Sequence, residues 1–408
     1  MSCAQAGFLM LKSIRQFTAV VWLVIIATMV MRFTFFMVWP YLAIILHQDH
    51  GMNAFEVGAF LATSGVIGNT LGFYTGYLSD KFGRRIVILG GLVCSTGALV
   101  ALGLSESLLV VLAAMVVQGV SRHAIEGTGK ALLTDEVEDR KAKDLALHAR
   151  YYALNIGASF GPLVGVYYGL TGKQTTFLLV ASASAIYLIA ALVVFARHKP
   201  KKGPNKSSGF SFRLVLRTLA DDKRFLVFVV AMFLGLIAYS QLEAGIVQYL
   251  RVAMHPDVIA FYPIVTLTNG MTVLLLQFPL LALTERFSPA TRSMIGVGLM
   301  AVSFAMLAII PISQEILFLF AIFILSVGEV ILFPTLQIMI DRMAPEDMKG
   351  SYFGAAALAG FGFAAGPIVG GAMLEFVGGT GLWWAMAALM ILVAFLYRTA
   401  GRIPARVT

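Results

Sequence analysis

Two cysteines, Cys3 and Cys94, in 408 residues exclude a disulfide framework and a cysteine-built metal cluster. Charge is also scarce. Asp, Glu, Lys and Arg make up 12% of the chain against 59% hydrophobic residues, and mean hydropathy is +0.87. A soluble protein of this length cannot cover its surface with so few charges, so lipid is the expected solvent for much of it. The sequence has no P-loop pattern, which excludes an ATP site of that kind. It also has no nucleophile–base pattern and no spacing of metal ligands, so neither an enzyme nor a bound cofactor or metal is expected. Long polar stretches are missing too. The outer loops Ser105-Glu106-Ser107 and Thr171-Gly172-Lys173 are very short, and nothing outside the apolar runs is large enough to fold alone.

What is present is a series of apolar runs, each long enough to cross hydrocarbon as a helix. Twelve are expected, centred in 17–46, 55–79, 86–104, 108–134, 148–171, 175–196, 225–249, 258–283, 294–311, 315–341, 351–377 and 381–399. The first is too long for a signal peptide and lacks a small-residue cleavage site, so it counts as span 1. The net charge of +9 invites a nucleic-acid partner, but the distribution of charge answers otherwise. With an inside N-terminus, 24 of the 30 basic residues fall in cytoplasmic segments. Lys173 and Arg251 fall outside, and Arg32, Arg122, Lys130 and Arg150 lie within or at the ends of spans. That bias sets the orientation, with both termini cytoplasmic. Residues 197–224 hold nine basic residues with Pro200, Gly203, Pro204 and Ser207-Ser208-Gly209, and read as a flexible tether between halves 1–196 and 225–408. Within it, Phe210 to Leu219 has the pattern of a short amphipathic surface helix, against the plainer reading of a solvated tether.

The halves repeat. Gly157-Ala158-Ser159-Phe160-Gly161-Pro162-Leu163-Val164-Gly165 recurs 205 residues later (362 − 157) as Gly362-Phe363-Ala364-Ala365-Gly366-Pro367-Ile368-Val369-Gly370. Asp80-Lys81-Phe82 recurs at the same offset as Glu285-Arg286-Phe287. A duplicated unit in so apolar a chain implies two helical bundles with a pathway between them. Small residues at this spacing allow helices to approach closely, and the proline introduces a bend.

Ionisable residues inside spans are costly unless paired or hydrated, so they mark the candidate site. Arg122, Glu126 and Lys130 lie i, i+4, i+8 apart and form one stripe on span 4. Glu126 can pair with either neighbour, and release of a partner would favour its protonated form, a workable basis for proton coupling. His123 points off the stripe and reads as a packing residue. Arg32, deep in span 1, needs a carboxylate, water or an anionic substrate group. Glu329 in span 10 is its leading partner, with Glu243 in span 7 as a second candidate. Arg150 reads as an anchor at the cytoplasmic end of span 5. Asn155, one turn before the Gly-Pro segment, is a candidate for a cross-helix hydrogen bond or the cavity wall. Phe35, Phe36, Trp39, Tyr41, Tyr239, Phe261 and Tyr262 could supply aromatic walls, with Gln241 beside Tyr239.

Gly76-Tyr77-Leu78-Ser79-Asp80-Lys81-Phe82-Gly83-Arg84-Arg85, between spans 2 and 3, closely resembles the loop signature G-x-L-[AGS]-D-[RK]-x-G-R-[RK] of the major facilitator superfamily. In this reading Gly83 makes the turn, Asp80 sits at a helix N-terminus, and Arg84 and Arg85 hold the loop at the headgroups. Gly157, Gly161, Pro162 and Gly165 match that family's span-5 signature, characteristic of its antiporters; Gly366 and Pro367 are the partner copy. One departure stands out. The family's span-4 arginine position is Met115 here, although Gln118-Gly119 is kept; Arg122, one turn after that pair, could take over some of its role, and the sequence leaves open which residue does. Glu329, Pro334 and Asp341 resemble the span-10 pattern of the twelve-helix drug:proton antiporters. Arg32-Phe33, Gly127-Thr128-Gly129-Lys130 and Gly328-Glu329 are similar to proton-dependent oligopeptide transporters, but the glutamates of that family near the arginine are absent.

The resemblance implies an all-α membrane fold of two pseudo-symmetric six-helix bundles, monomeric, in a membrane such as the bacterial inner membrane. It further implies alternating access that moves a small-molecule substrate against protons: export of amphiphilic or cationic compounds, with Glu329 and Glu126 carrying protons. The alternatives are proton symport of peptides or charged metabolites, and a receptor or sensor on a transporter scaffold.

Overall fold

The structure, a computed structural model, describes residues 13–38, 42, 45–46, 51–52, 54–168, 173–198, 211–252 and 258–402. Cys3, Trp39, Tyr41, the Thr171-Gly172 turn and positions 199–210 of the tether lie outside the described residues, as does the side chain of Arg251.

The regular structure is helical throughout the described residues. The helices are α1 (Ala19–Val38), α2 (Ala54–Phe82), α3 (Arg84–Leu104), α4 (Leu108–Glu136), α5 (Arg140–Tyr167) and α6 (Phe177–Arg197). After these come α7 (Phe212–Asp221), α8 (Lys223–Ser240), α9 (Ile246–Val252), α10 (Val258–Thr284), α11 (Pro289–Ile309), α12 (Glu315–Met343), α13 (Lys349–Ala357) and α14 (Gly360–Arg402). A π-helical turn, Gln241–Gly245, joins α8 to α9. Helix is the form these runs must take, because a segment in hydrocarbon has to satisfy its own backbone hydrogen bonds. Among the described residues, nine helical stretches are long and apolar enough to cross a membrane. The last, Lys349–Arg402, has 54 residues, about 80 Å of helix and long enough to cross twice. Its break falls at Gly378, where φ is 72°. With α2 and α5, of 29 and 28 residues, and the last stretch counted twice, these stretches account for the twelve expected spans.

Chain punctuation follows the local sequence. The Asp222 carboxylate accepts from the Phe225 amide at 2.9 Å and caps α8. Ser288 accepts from the Thr291 amide at 3.1 Å, with Pro289 opening α11. Gly83 turns the chain from α2 into α3 at φ 97°, a conformation costly for any residue with a Cβ.

The chain divides into two compact units, Met1–Val215 with Ala344–Ala357, and Leu216–Met343 with Leu358–Thr408. In the first, Met37, Leu99, Leu102, Val111, Met115 and Phe177 form a core joining α1, α3, α4 and α6. In the second, Trp383 stacks on Phe304 at 6.1 Å and meets Tyr249 edge-on at 5.3 Å. The outer faces are apolar: Leu109, Ile316 and Phe376 are exposed by three-quarters or more, as lipid-facing side chains should be. Phe212 of α7 packs its ring on Phe73, Tyr74 and Tyr77 of α2, so the tether is not wholly solvated.

The duplicated glycines explain the central helix pair of each unit. A methyl group at Gly157, Gly161 or Gly165 would overlap the α1 backbone at Met29, Phe33 and Met37. At Gly362 it would overlap the Phe233 backbone, and at Gly366 and Gly370 the side chains of Ser240 and Gln241. Each row therefore lets its helix lie close against its partner, at the i, i+4, i+8 spacing of one helical face.

Candidate functional site

In the first unit the stripe on α4 meets α1. Arg32 Nη2 donates to Glu126 Oε2 at 2.8 Å, and Arg122 Nε donates to Glu126 Oε1 at 3.0 Å. One carboxylate thus bridges two guanidiniums. The Arg122 guanidinium also lies 4.7 Å from the centre of the Phe35 ring. Arg32, for which Glu329 is the leading expected partner, is taken by Glu126 of its own unit. Glu329 belongs to the second unit, where Asn269 Nδ2 donates to its Oε2 at 2.6 Å and to Ser326 Oγ at 2.9 Å.

These groups border a cavity inside the first unit. Arg32, Arg122, Glu126 and Arg150 supply its charge, Ser95, Gln118 and Tyr187 its polar atoms, and Val24, Met31, Phe35, Ile125 and Val180 an apolar wall. That mixture of an apolar surface with a few convergent polar groups is typical of small-molecule sites. From Ser95 and Gln118 on its wall, side-chain hydrogen bonds lead into the helix packing. Thr96 Oγ1 donates to Ser184 Oγ at 2.9 Å, and Ser95 Oγ donates to Gln118 Oε1 at 2.9 Å. Met115, where the family pattern has arginine, is simply core, 1% exposed.

Arg150 is a correction. It does not anchor a helix end, because α5 begins at Arg140 and places it nearly three turns inside. It is 6% exposed and lines the cavity, and its Nε is buried without a hydrogen-bond partner. Lys130 interacts electrostatically with Arg150 and Glu126 but makes no hydrogen bond or ion pair among the described residues. Four basic groups therefore surround one acid.

The other expected cavity residues are not in the lining of this cavity. Asn155 donates to the Tyr151 carbonyl of its own helix at 2.9 Å and is not part of the lining. Gln241 is fully buried and donates to the carbonyls of Ile237 (3.1 Å) and Gly366 (2.8 Å), as a packing lock at the π-helical turn. Tyr239 packs edge-on against Phe333 at 4.7 Å. Glu243 is exposed, and its backbone carbonyl accepts from the Tyr262 hydroxyl at 2.8 Å. His123 packs against Gly72 of α2.

The loop signature forms a second charged centre. Arg84, expected with Arg85 at the headgroups, is instead buried at 4% exposed; Arg85 alone of the two is exposed. Arg84 Nη1 donates to Ser79 Oγ at 2.9 Å and to Asp80, and its Nε donates to Asp135 Oδ2 at 3.0 Å. Asp80 sits at a helix N-terminus as expected. It accepts from the amides of Gly350 (2.9 Å) and Ser351 (2.6 Å) in the first turn of α13. Gly76 lies against Gly350 so closely that a methyl group on either would overlap the other. Lys349, 1% exposed, reaches Asp135 at 3.9 Å and Glu346 at 3.2 Å. Neither Asp135 nor Asn269 stands out in a motif: Asp135 lies in the charged run that ends span 4, and Asn269 is an amide inside an apolar run.

The profile of the Major Facilitator Superfamily matches residues 24–361. The uncharacterized MFS-type transporter YqjV of Bacillus subtilis (strain 168) is 30% identical over 371 residues, 90% of this chain and 89% of its own. The multidrug resistance protein MdtH of Klebsiella pneumoniae (strain 342) is 24% identical over 375 residues, 89% of each chain. Among solved structures, the human organic anion transporter MFSD10 (TETRAN) superposes with TM-score 0.74 over 93% of this chain and 99% of its own. At 17% identity that likeness is one of fold.

Proposed function

We propose that this chain, which belongs to the Major Facilitator Superfamily, is a proton-coupled antiporter that exports amphiphilic compounds by alternating access. As a member of that family it is a multi-pass membrane transporter of small molecules and not an enzyme. The observation that carries the coupling is Glu126, held by Arg32 and Arg122 at the edge of a cavity with an apolar wall. Protonation removes the charge that both guanidiniums bind, so the carboxyl and its partners separate; loss of the proton restores the bridge. Substrate entering from the cytoplasmic side competes for the same groups. Glu329, 2% exposed and hydrogen-bonded by Asn269, is the second proton carrier.

The name of the relative MdtH, a multidrug resistance protein, supports export of varied amphiphiles. We assign the bundles to 1–196 and 225–408, joined by the tether 197–224, in a single chain of the bacterial inner membrane with both termini cytoplasmic. The surplus of basic groups favours a second reading, proton symport of a charged metabolite. Purified protein in liposomes with trapped pyranine, given ethidium or 2-naphthoate, separates the two. Antiport moves protons opposite to the compound and symport moves them with it. Movement of both compounds that ignores an imposed pH gradient overturns proton coupling.

A further inference from the structure

We infer that the Arg150 corner of the first unit's cavity is an anion subsite, and that the compounds carried are amphiphiles pairing a carboxylate or sulfonate with an apolar body. This rests on reading the cavity as the substrate's path and adds the chemical class of the substrate.

The inference starts from charge that the protein leaves unanswered. Glu126 is the acid of the cluster, and its two oxygens are taken by Arg32 and Arg122. Arg150 and Lys130 interact with each other as like charges; both are attracted by that same carboxylate, and Arg150 also by the Tyr187 side chain. A buried guanidinium normally has its donors matched to carboxylate or carbonyl oxygens, because an unmatched buried charge is strongly destabilising. Arg150 has neither match at Nε, and it lines an open cavity. Its planar fork suits the two oxygens of a carboxylate or sulfonate, and Lys130 adds a second positive charge. The Tyr187 ring stands on the same wall. From there the lining turns apolar through Val24, Met31 and Ile125. A guest with an anionic head and a flat hydrocarbon body meets charge at one end and dispersion contacts along the rest. An amphiphilic cation would meet a net excess of two positive charges on the lining (Arg32, Arg122 and Arg150 less Glu126), which works against the cationic substrates expected from the sequence.

Three probes of one shape test this: 2-naphthoate, 2-naphthylmethanol and 2-naphthylmethylamine. Each is titrated calorimetrically into the purified full-length protein in detergent, at one pH and with no gradient. The expected result is naphthoate binding about ten-fold or more tighter than the alcohol, with the amine no tighter than the alcohol. Arg150→Gln should bring naphthoate to within about two-fold of the alcohol, and Lys130→Gln should weaken naphthoate in the same sense. Should Arg150→Gln elute as aggregate, Arg150→Lys takes its place. It keeps the charge but loses the fork, and should give a naphthoate affinity between those of the wild type and the alcohol. Equal binding of the three probes, tighter binding of the amine, or a full naphthoate preference in a monodisperse Arg150 variant overturns the subsite. Because no gradient is present, this result is independent of proton coupling. Naphthoate preference without gradient-driven transport would remove the antiport reading alone, and gradient-driven transport with amine preference would remove the anion subsite alone.

Discussion

Asp80 accepts two hydrogen bonds from Ser351, one from its backbone amide at 2.6 Å and one from its hydroxyl at 2.5 Å, across 271 residues of sequence. It serves as the N-cap that α13 lacks locally, where the preceding residue is Met348. Asp80→Ala leaves the first turn of α13 uncapped and Arg84 short of a carboxylate, and should weaken docking of that helix by about 1–2 kcal/mol. Asp80→Asn keeps one acceptor and should fall between the two. The check is maleimide labelling of Ala357→Cys in a chain that also carries Cys3→Ser and Cys94→Ser. Labelling should rise from native Asp80 through Asp80→Asn to Asp80→Ala. Equal labelling in all three would show that the cap does not hold α13.

Overpacking the glycine rows separates close packing from mere absence of a side chain. Gly161→Val places its side chain into the Phe33 carbonyl and should cost about 1–3 kcal/mol. Gly97→Ala, with nothing within 4 Å of the added methyl, should be neutral or slightly stabilising. Thermal unfolding in detergent reads both. Equal midpoints for the two variants would contradict the helix contact described.

Glu329→Gln retains an oxygen to accept from Asn269 and so should preserve folding while removing the ionisable proton. Asn269→Ala instead leaves a buried carboxylate without that donor. The thermal midpoint should drop in Asn269→Ala and hold in Glu329→Gln, whereas gradient-driven transport should fall in Glu329→Gln. A Glu329→Gln protein with wild-type gradient-driven transport would remove Glu329 from the coupling.

The twelve spans, the duplication and the charge-bearing residues are legible in the sequence because hydropathy and spacing report them directly. Pairing is not. Arg32 takes Glu126 rather than Glu329, and the rotation of nearly all-apolar helices leaves little periodic signal to orient them. Arg150 reads as a helix end because the charged first turns of α5, with Arg140, Lys141, Lys143 and Asp144, look like loop by hydropathy. Gln241 and Asn155 are polar residues that bond to nearby backbone, which sequence does not distinguish from residues facing a cavity. The Asp80 cap joins positions 271 residues apart, and an acid in the loop points to a helix N-terminus without telling which one.

Glu126 bears the central claim, and the most direct test compares the wild type with Glu126→Gln in proteoliposomes under two regimes. One is uptake of labelled 2-naphthoate driven by an imposed pH gradient; the other is its exchange at equal pH on both sides. The neutral amide keeps the shape of the side chain and loses the proton. Gradient-driven accumulation should therefore fall to the level of empty liposomes while exchange continues. Accumulation by Glu126→Gln that follows the gradient as the wild type does would contradict the account.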